Sequence, residues 1–336
     1  MKKKALCAAI AAAFVLTTAG TVFANEVEFN GKITYQHREN TKDGVDDVST
    51  NRWQFFLNGT APEVAKNIDL YFRIAGEKYK ESGRDFEVFP GQDGNDRSVF
   101  ALDQFGFNYK NAGWNYKLGR QSSLIGATGI IYDSTSGIGK HIFADGVTID
   151  GKIGATNVTV AALEDDGFYN DGKKIYYGSA SFKPAEKLTL GGTFARATDN
   201  ANLNEPGERD LNLWAVNAAY DINSKVNVYG EYVKSNANTE DKAYAVGGSY
   251  KFDSKNSFWA AYSRVETNAN IRSSANSIVA TTFDDSGKGM YYGFDHQFDK
   301  TTGLSFFYKD MKDIDPNSPD FGKNYSSFRT TVSYKF

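Results

Sequence analysis

The chain has 336 residues, of which 15% are aromatic and 24% are charged, and its formal net charge is −3. Without a basic excess, nucleic acid is not expected as a partner. The aromatic content is too high for a disordered chain, and no apolar run after residue 24 is long enough for a membrane-spanning helix, so both of those classes are excluded.

The first 24 residues have the pattern of a secretory signal peptide. Three lysines at positions 2–4 precede an apolar run at 5–16, and the segment Val22-Phe23-Ala24 precedes an expected cleavage site before Asn25. We therefore predict a signal peptide at 1–24 and one exported domain at 25–336. Because the single cysteine, Cys7, lies in the predicted signal, the exported domain is expected to contain no disulfide.

From residue 27 onward, apolar and polar residues alternate in segments that are separated by turn residues. This period of two is typical of β-strands with two different faces. The pattern predicts an all-β protein of sixteen strands, with fourteen strands as the alternative. The predicted strands are 27–38, 51–59, 68–78, 99–110, 114–121, 146–153, 157–163, 175–183, 187–196, 211–222, 225–234, 243–252, 257–266, 290–298, 304–309 and 325–336.

The connections between the predicted strands alternate in length. A transmembrane barrel has short periplasmic turns and long extracellular loops, whereas a β-sandwich gives no reason for this alternation. We therefore predict a transmembrane antiparallel β-barrel. The short connections are 111–112, 154–156, 184–186, 223–224, 253–255 and 299–301, and the long ones are 39–50, 79–98, 122–145, 164–174, 197–210, 235–242, 267–289 and 310–324.

The last predicted strand has one apolar face and one polar face. Phe328, Val332, Tyr334 and Phe336 lie on the apolar face together with Thr330. Such an edge promotes aggregation unless another strand pairs with it. We expect the first strand to be that partner, because the pairing closes the barrel and leaves no edge exposed to lipid.

Over residues 25–336, this pattern of strands and loops, together with the closing Phe336, resembles the sixteen-stranded general porins of the Gram-negative outer membrane. The resemblance implies a homotrimer in outer-membrane lipid, and recognition of the last strand by the barrel-assembly machinery through Phe336. It also implies a water-filled channel for passive diffusion of small hydrophilic solutes and ions. No catalytic residue, cofactor or metal is implied.

The long connection after the fifth strand is the expected functional element. The segment Leu118-Gly119-Arg120-Gln121 and the loop at 122–145 resemble the porin strand that leads into the constriction loop. The loop is rich in leucine and isoleucine and is therefore poorly suited to standing free in water. We predict that it folds into the lumen. The alternatives are a loop that caps the mouth and a contact between subunits.

Alternation on the strands predicts which charged side chains face the lumen. Strict alternation places Arg120 on the outward face with Leu118, so Arg120 reaches the lumen only if a bulge or the end of the strand turns it. Inward arginines favour anions, whereas loop acids oppose them, and the sequence leaves the selectivity open. By resemblance, the candidate constriction residues are Arg38, Arg52, Arg73 and Arg120 on the wall and Asp133 on the loop, with Lys117 and Lys32 as neighbours.

Two other functions are compatible with a barrel. In a substrate-specific porin, inward aromatic residues such as Phe56, Tyr71 and Tyr229 hold a sugar or another small solute. In a surface adhesin or a structural anchor, the long loops are the working part. Saturable transport would indicate the first function, and a barrel without conductance would indicate the second.

Overall fold

The computed structural model describes residues 26–81, 97–135, 137–139, 143–165, 173–198, 210–271 and 286–336. The predicted signal peptide lies outside these residues. Within them, sixteen antiparallel strands form one closed barrel, which confirms the predicted fold class and strand number. A separate hairpin, β6 with β7, lies in the loop after β5. No helix in the described part of the chain is long and apolar enough to cross a membrane.

The strands follow one another around the barrel in chain order, with β8 beside β5. They are β1 (Glu28–Lys42), β2 (Val45–Ala65), β3 (Ile68–Glu81), β4 (Arg97–Asn111), β5 (Trp114–Gln121), β6 (Leu124–Ile125), β7 (Tyr132–Asp133), β8 (Ala144–Ile153), β9 (Thr156–Asp165), β10 (Lys173–Ala185), β11 (Leu188–Thr198), β12 (Leu211–Asp221), β13 (Val226–Ser235), β14 (Lys242–Lys251), β15 (Asn256–Val265), β16 (Gly287–Gln297), β17 (Thr302–Asp313) and β18 (Asn324–Lys335).

The barrel closes where β1 pairs with β18. The pairing extends from Lys32 opposite Lys335 to Lys42 opposite Tyr325. At the end of the barrel that carries the short turns, the Gly31 N–H donates to the Phe336 carbonyl at 2.9 Å, and the Phe336 N–H donates to the Gly31 carbonyl at 3.1 Å. The predicted partner of the last strand is therefore confirmed, and both strands satisfy their backbone hydrogen bonds at this seam.

Alternating side chains give the barrel an apolar outer face. Trp53 on β2 and Val216 on β12 expose 53% and 64% of their surface, whereas their neighbours Arg52 and Ala215 are buried on the lumen side. This alternation of lipid-facing and lumen-facing residues is what a transmembrane barrel requires.

A bulge in β4 changes which positions face the lumen. Arg73 pairs with Gln104 and Ile74 pairs with Leu102, so Asp103 is an extra residue on β4. Asp103 and Gln104 are both buried, whereas Leu102 and Phe105 on either side of them are exposed. The extra residue therefore places two consecutive polar side chains in the interior, which simple alternation does not predict.

The prediction of a long first loop at 39–50 is wrong. β1 continues to Lys42 and β2 begins at Val45, so the connection is the turn Asp43-Gly44, in which Gly44 has a φ of 76°. This outer part of the hairpin extends beyond the apolar band, so polar residues occur on both of its faces. The alternation of apolar and polar residues that marks the other strands is therefore missing here. The connection predicted at 310–324 is likewise shorter, because β17 continues to Asp313.

Side-chain oxygens stabilise the short turns that follow β12, β14 and β16. At each turn, the Oδ1 atom of an aspartate or asparagine accepts hydrogen bonds from the backbone N–H groups two and three residues later, which stabilises a tight reversal. At Asp299, hydrogen bonds from the Thr301 hydroxyl and from backbone N–H groups lower the pKa of the carboxyl group. The same geometry occurs at Asn223 with Lys225 and Val226, at Asp253 with Lys255 and Asn256, and at Asp299 with Thr301 and Thr302.

The seam requires a glycine at position 31. A Cβ atom there would lie 2.3 Å from the Phe336 ring and 2.7 Å from the Phe56 carbonyl oxygen. We expect Gly31→Ala to destabilise the barrel by about 1–3 kcal/mol, as overpacking substitutions do. The measurement is the folded fraction on unheated detergent gels after incubation in increasing urea.

The matched control for this substitution is Gly178→Ala. The added Cβ atom at position 178 has its nearest neighbour, Val160 Cγ1, at 3.7 Å. The control is therefore expected to unfold like the unchanged protein. Equal urea midpoints for the two variants would show that the Phe336 contact does not constrain the seam.

Candidate functional site

The loop after β5 lies inside the barrel and packs on its inner wall. Ile125, Ile131 and Ile138 are fully buried, and the Ile271 N–H donates to the Ile131 carbonyl at 2.7 Å. Small side chains on the wall make room for the loop and form one apolar cluster with Ile125, Ile130 and Ile131. The alanines of this cluster are Ala144, Ala195, Ala197, Ala215, Ala243, Ala245, Ala261 and Ala269.

One end of the loop is held by Glu231 on β13. The Glu231 carboxylate accepts hydrogen bonds from the Ala127 N–H at 2.9 Å, the Thr128 N–H at 2.8 Å and the Thr128 hydroxyl at 2.6 Å. Its side chain is almost completely buried. Hydrogen bonds to a charged acceptor are strong, so this carboxylate fixes the position of the loop on the β13 wall.

The other end of the loop is held by Arg73 on β3 and by Asp103 in the bulge of β4. Arg73 donates to both carboxylate oxygens of Asp103 at 2.8 Å and to the Gly137 carbonyl at 2.8 Å. Asp103 also accepts from the Gly139 N–H at 3.2 Å. Seven strands separate β3 from β13 in either direction around the barrel. The loop therefore crosses the lumen from one wall to the opposite one.

Arg52 and Glu77 form a second buried ion pair on the wall beside Arg73. Arg52 Nε donates to Glu77 Oε2 at 2.6 Å, and Gln54 Nε2 donates to the same oxygen at 2.9 Å. Both charged side chains are nearly excluded from solvent. Separating the pair would leave two uncompensated buried charges, which costs free energy. The pair therefore keeps β2 and β3 in a fixed arrangement.

Arg38 lies at the seam, directly opposite Arg329 of β18. Arg38 Nη2 donates to Gln36 Oε1 at 3.1 Å, and the Arg329 guanidinium lies 4.6 Å from the centre of the Phe307 ring. The seam therefore places two cationic side chains on the same face of neighbouring strands.

The remaining candidates are Arg120, Lys117 and Asp133, and each has a different partner. Arg120 Nη1 donates to Asp145 Oδ2 of β8 at 2.6 Å, and Lys117 lies over the Tyr71 ring at 4.7 Å. Asp133 accepts hydrogen bonds from the N–H and the hydroxyl of Thr135 within the loop itself. Arg120 therefore pairs across the strands, Lys117 packs on an aromatic ring, and Asp133 is bonded to a neighbouring residue of the loop.

A cavity of about 590 Å³ lies along β1, β2, β3 and β18, between the seam and the loop. It contains two of the candidate constriction residues, Arg52 and Arg73, and one residue of the loop, Thr135. Among the residues that the structure describes, no acidic side chain lines it. The lining residues are Asn30, Gly31, Lys32, Thr34, Gln36, Arg52, Gln54, Phe56, Asn58, Arg73, Thr135, Thr331, Lys335 and Phe336.

The sequence interpretation missed four residues of this region. Glu77, Glu231 and Lys335 occupy lumen positions by simple alternation, so counting along each strand would have found them. Asp103 is the extra residue of the bulge in β4, and no alternating pattern identifies it. Within the described ranges, no three histidine, cysteine, aspartate or glutamate side chains are grouped as a metal site requires.

Comparisons with known proteins agree with this geometry. The model of a family described as Gram-negative porin matches residues 8–336, whereas no curated protein sequence matches. A mutant of the Rhodopseudomonas blastica porin has a TM-score of 0.57 at 14% identity, over 93% of this chain and 100% of that chain. A triple mutant of the same porin has a TM-score of 0.55 at 13% identity, with the same coverage. At these identities the structural similarity establishes the fold.

The bond between Glu231 and the loop gives a direct test of how the loop is held. We expect Glu231→Ala to increase current noise and to produce several conductance levels in planar bilayers, because it removes three hydrogen bonds of about 1.5–3 kcal/mol each. Glu231→Gln keeps the shape and one carbonyl acceptor, so it should give an intermediate trace. Quiet, unchanged steps in the alanine variant would show that Glu231 does not hold the loop.

Proposed function

This chain belongs to the Gram-negative porin family, and we propose that it is a passive diffusion channel that prefers anions. Family membership makes the chain an outer-membrane porin, in which solutes cross a closed barrel. The preference for anions is our proposal. It rests on one observation, which is the charge of the cavity wall.

The charges on this wall do not cancel. Four cationic side chains and no acidic side chain from the described part of the chain line the cavity, namely Lys32, Arg52, Arg73 and Lys335. Glu77 and Asp103 lie behind the two arginines and compensate their charge. Lys32 and Lys335 form no ion pair with any residue that the structure describes. The two lysines therefore leave a positive potential along this path.

A narrow aqueous path amplifies such a charge. The walls of the barrel and the apolar loop have a low dielectric constant, so field lines are concentrated in the water between them. Charged side chains in a pore select permeating ions by this effect. Anions should therefore enter the path along β1, β2, β3 and β18 more readily than cations of the same size.

We further propose the remaining features that family resemblance implies. Residues 1–24 are a signal peptide, and residues 25–336 form the mature barrel domain. The mature barrels assemble as a homotrimer in outer-membrane lipid, and the assembly machinery recognises the last strand through Phe336. The channel carries small hydrophilic solutes and ions, and we assign it no catalytic residue and no cofactor.

The proposal is tested by planar-bilayer recording of refolded residues 25–336. We expect large ohmic steps, and in a potassium chloride gradient we expect a reversal potential with the sign of chloride permeation. A reversal potential with the sign of potassium permeation would overturn the anion preference. A folded, inserted barrel that does not conduct would overturn the channel itself.

Buried acids on the wall should reduce the anion preference. We expect Glu77→Gln to raise the ratio of chloride to potassium permeability by about two-fold, the effect of one charge about 8 Å away in water that contains about 0.1 M salt. Arg52→Gln should lower the ratio by a similar factor. The control is Glu39→Gln, because the Glu39 side chain is mostly exposed on the outward face. Shifts of the same sign for Glu77→Gln and Arg52→Gln would contradict the electrostatic explanation.

A further inference from the structure

We propose that the cavity along β1, β2, β3 and β18 is a binding site for small multivalent oxyanions, namely polycarboxylates or phosphate esters. This inference rests on the proposed anion-preferring channel. It means that the channel binds some anions at a saturable site, in addition to selecting ions by charge. Three features of the cavity carry it: two facing lysines, a set of oriented amides, and a size that suits a small solute.

The facing lysines are the first feature. Lys32 and Lys335 are directly opposite each other where β1 pairs with β18, and both line the cavity. Like charges in opposite positions on neighbouring strands destabilise a sheet. An anion with two or more negative groups relieves this repulsion because it contacts both ammonium groups at once, whereas a monovalent anion neutralises only one of them.

An aromatic ring positions one of these cations. Lys32 Nζ lies 5.1 Å from the centre of the Phe56 ring, and Arg73 Cζ lies 5.3 Å from the same centre. The electron-rich face of an aromatic ring attracts such cations. Phe56 therefore positions the Lys32 ammonium group, whose charge no acidic side chain of the described residues compensates, on the cavity wall that Arg73 also lines.

The amides are the second feature. Asn58 Nδ2 donates to Asn30 Oδ1 at 2.9 Å, and Gln36 Nε2 donates to the Thr331 hydroxyl at 3.1 Å. These bonds fix the orientation of both side chains. An amide nitrogen carries two N–H donors, so each group retains a second donor for a ligand oxygen. The cavity thus combines positive charge with neutral donors, as a carboxylate or phosphate requires.

The size of the cavity is the third feature. Its volume of about 590 Å³ lies within the range of roughly 300–1,000 Å³ that is usual for small-molecule sites. Thr135 of the loop forms part of the lining, so a bound anion also lies against the element that crosses the lumen. An occupied cavity therefore obstructs the path along this wall and reduces the current.

Citrate and pyrophosphate are suitable probes for a bilayer experiment on the refolded channel, with acetate as the monovalent comparison. We expect citrate or pyrophosphate to reduce the chloride current with a saturable dependence on concentration, while acetate at equal charge concentration does not. Block by citrate alone indicates a polycarboxylate site, and block by pyrophosphate alone indicates a phosphate site. Linear conductance with all three probes would overturn the proposal.

The decisive variant is Lys32→Gln combined with Lys335→Gln. We expect the half-blocking concentration to rise at least about ten-fold, because the loss of even one of the two charge-assisted hydrogen bonds gives a change of that size. The matched control is Lys309→Gln, a lysine that lies over the Tyr325 ring and does not line the cavity. Equal block in the double variant and in the control would overturn the site.

The outcomes for the site and for the channel are separable. If the unchanged protein does not conduct, or if it prefers cations, the proposed function fails before any probe is added. If it conducts and prefers anions but shows no saturable block, only the binding site fails. Ohmic steps from the double variant in chloride alone show that its barrel is folded and open.

Discussion

Closure of the sheet is the constraint on which the rest of this structure depends. Lipid offers no partner to a backbone N–H or carbonyl group, so every strand must pair on both sides. The pairing of β1 with β18 meets that requirement at the seam. Once the barrel is closed, alternation divides each strand into a lipid face and a lumen face, and the lumen face is free to carry the charged residues that determine what passes.

The loop after β5 then divides the lumen. Its isoleucines need an apolar surface, and the alanine-rich inner wall provides one. Two buried carboxylates of the wall, Asp103 and Glu231, accept hydrogen bonds from N–H groups near the two ends of the loop. Hydrogen bonds are directional, so they fix the position of the loop along the wall, which apolar contacts alone do not. The path that remains lies along the seam, where Lys32 and Lys335 face each other. The same strand pairing that closes the barrel therefore also creates the positive charge of the path.

Most of the fold was predictable from the sequence because a two-faced strand has a strong period, and the bounds of β5 were predicted to the residue. The first hairpin was not, because its outer part is polar on both faces. The arginines of the wall followed from alternation on β2 and β3. The partner of Arg73 did not, because the bulge at Asp103 breaks the alternation, and the contacts of the loop with Glu231 depend on tertiary packing between residues about one hundred positions apart. The pair of Arg120 with Asp145 was missed for a different reason, because the prediction placed Asp145 in the loop, whereas β8 already begins at Ala144.

If the loop covers the opposite wall, water and ions occupy the wall along the seam, and the wall under the loop is dry. Cysteine labelling tests this directly, since residues 26–336 contain no cysteine. In separate variants, Gln54→Cys places a thiol in the cavity lining, and Ala195→Cys places one in the fully buried apolar cluster. The measurement is the change in channel current after a negatively charged thiol reagent is added. We predict a rapid, lasting fall in current for Gln54→Cys and no change for Ala195→Cys. An equally fast fall for Ala195→Cys would show that the loop does not cover that wall and that the lumen is not divided in this way.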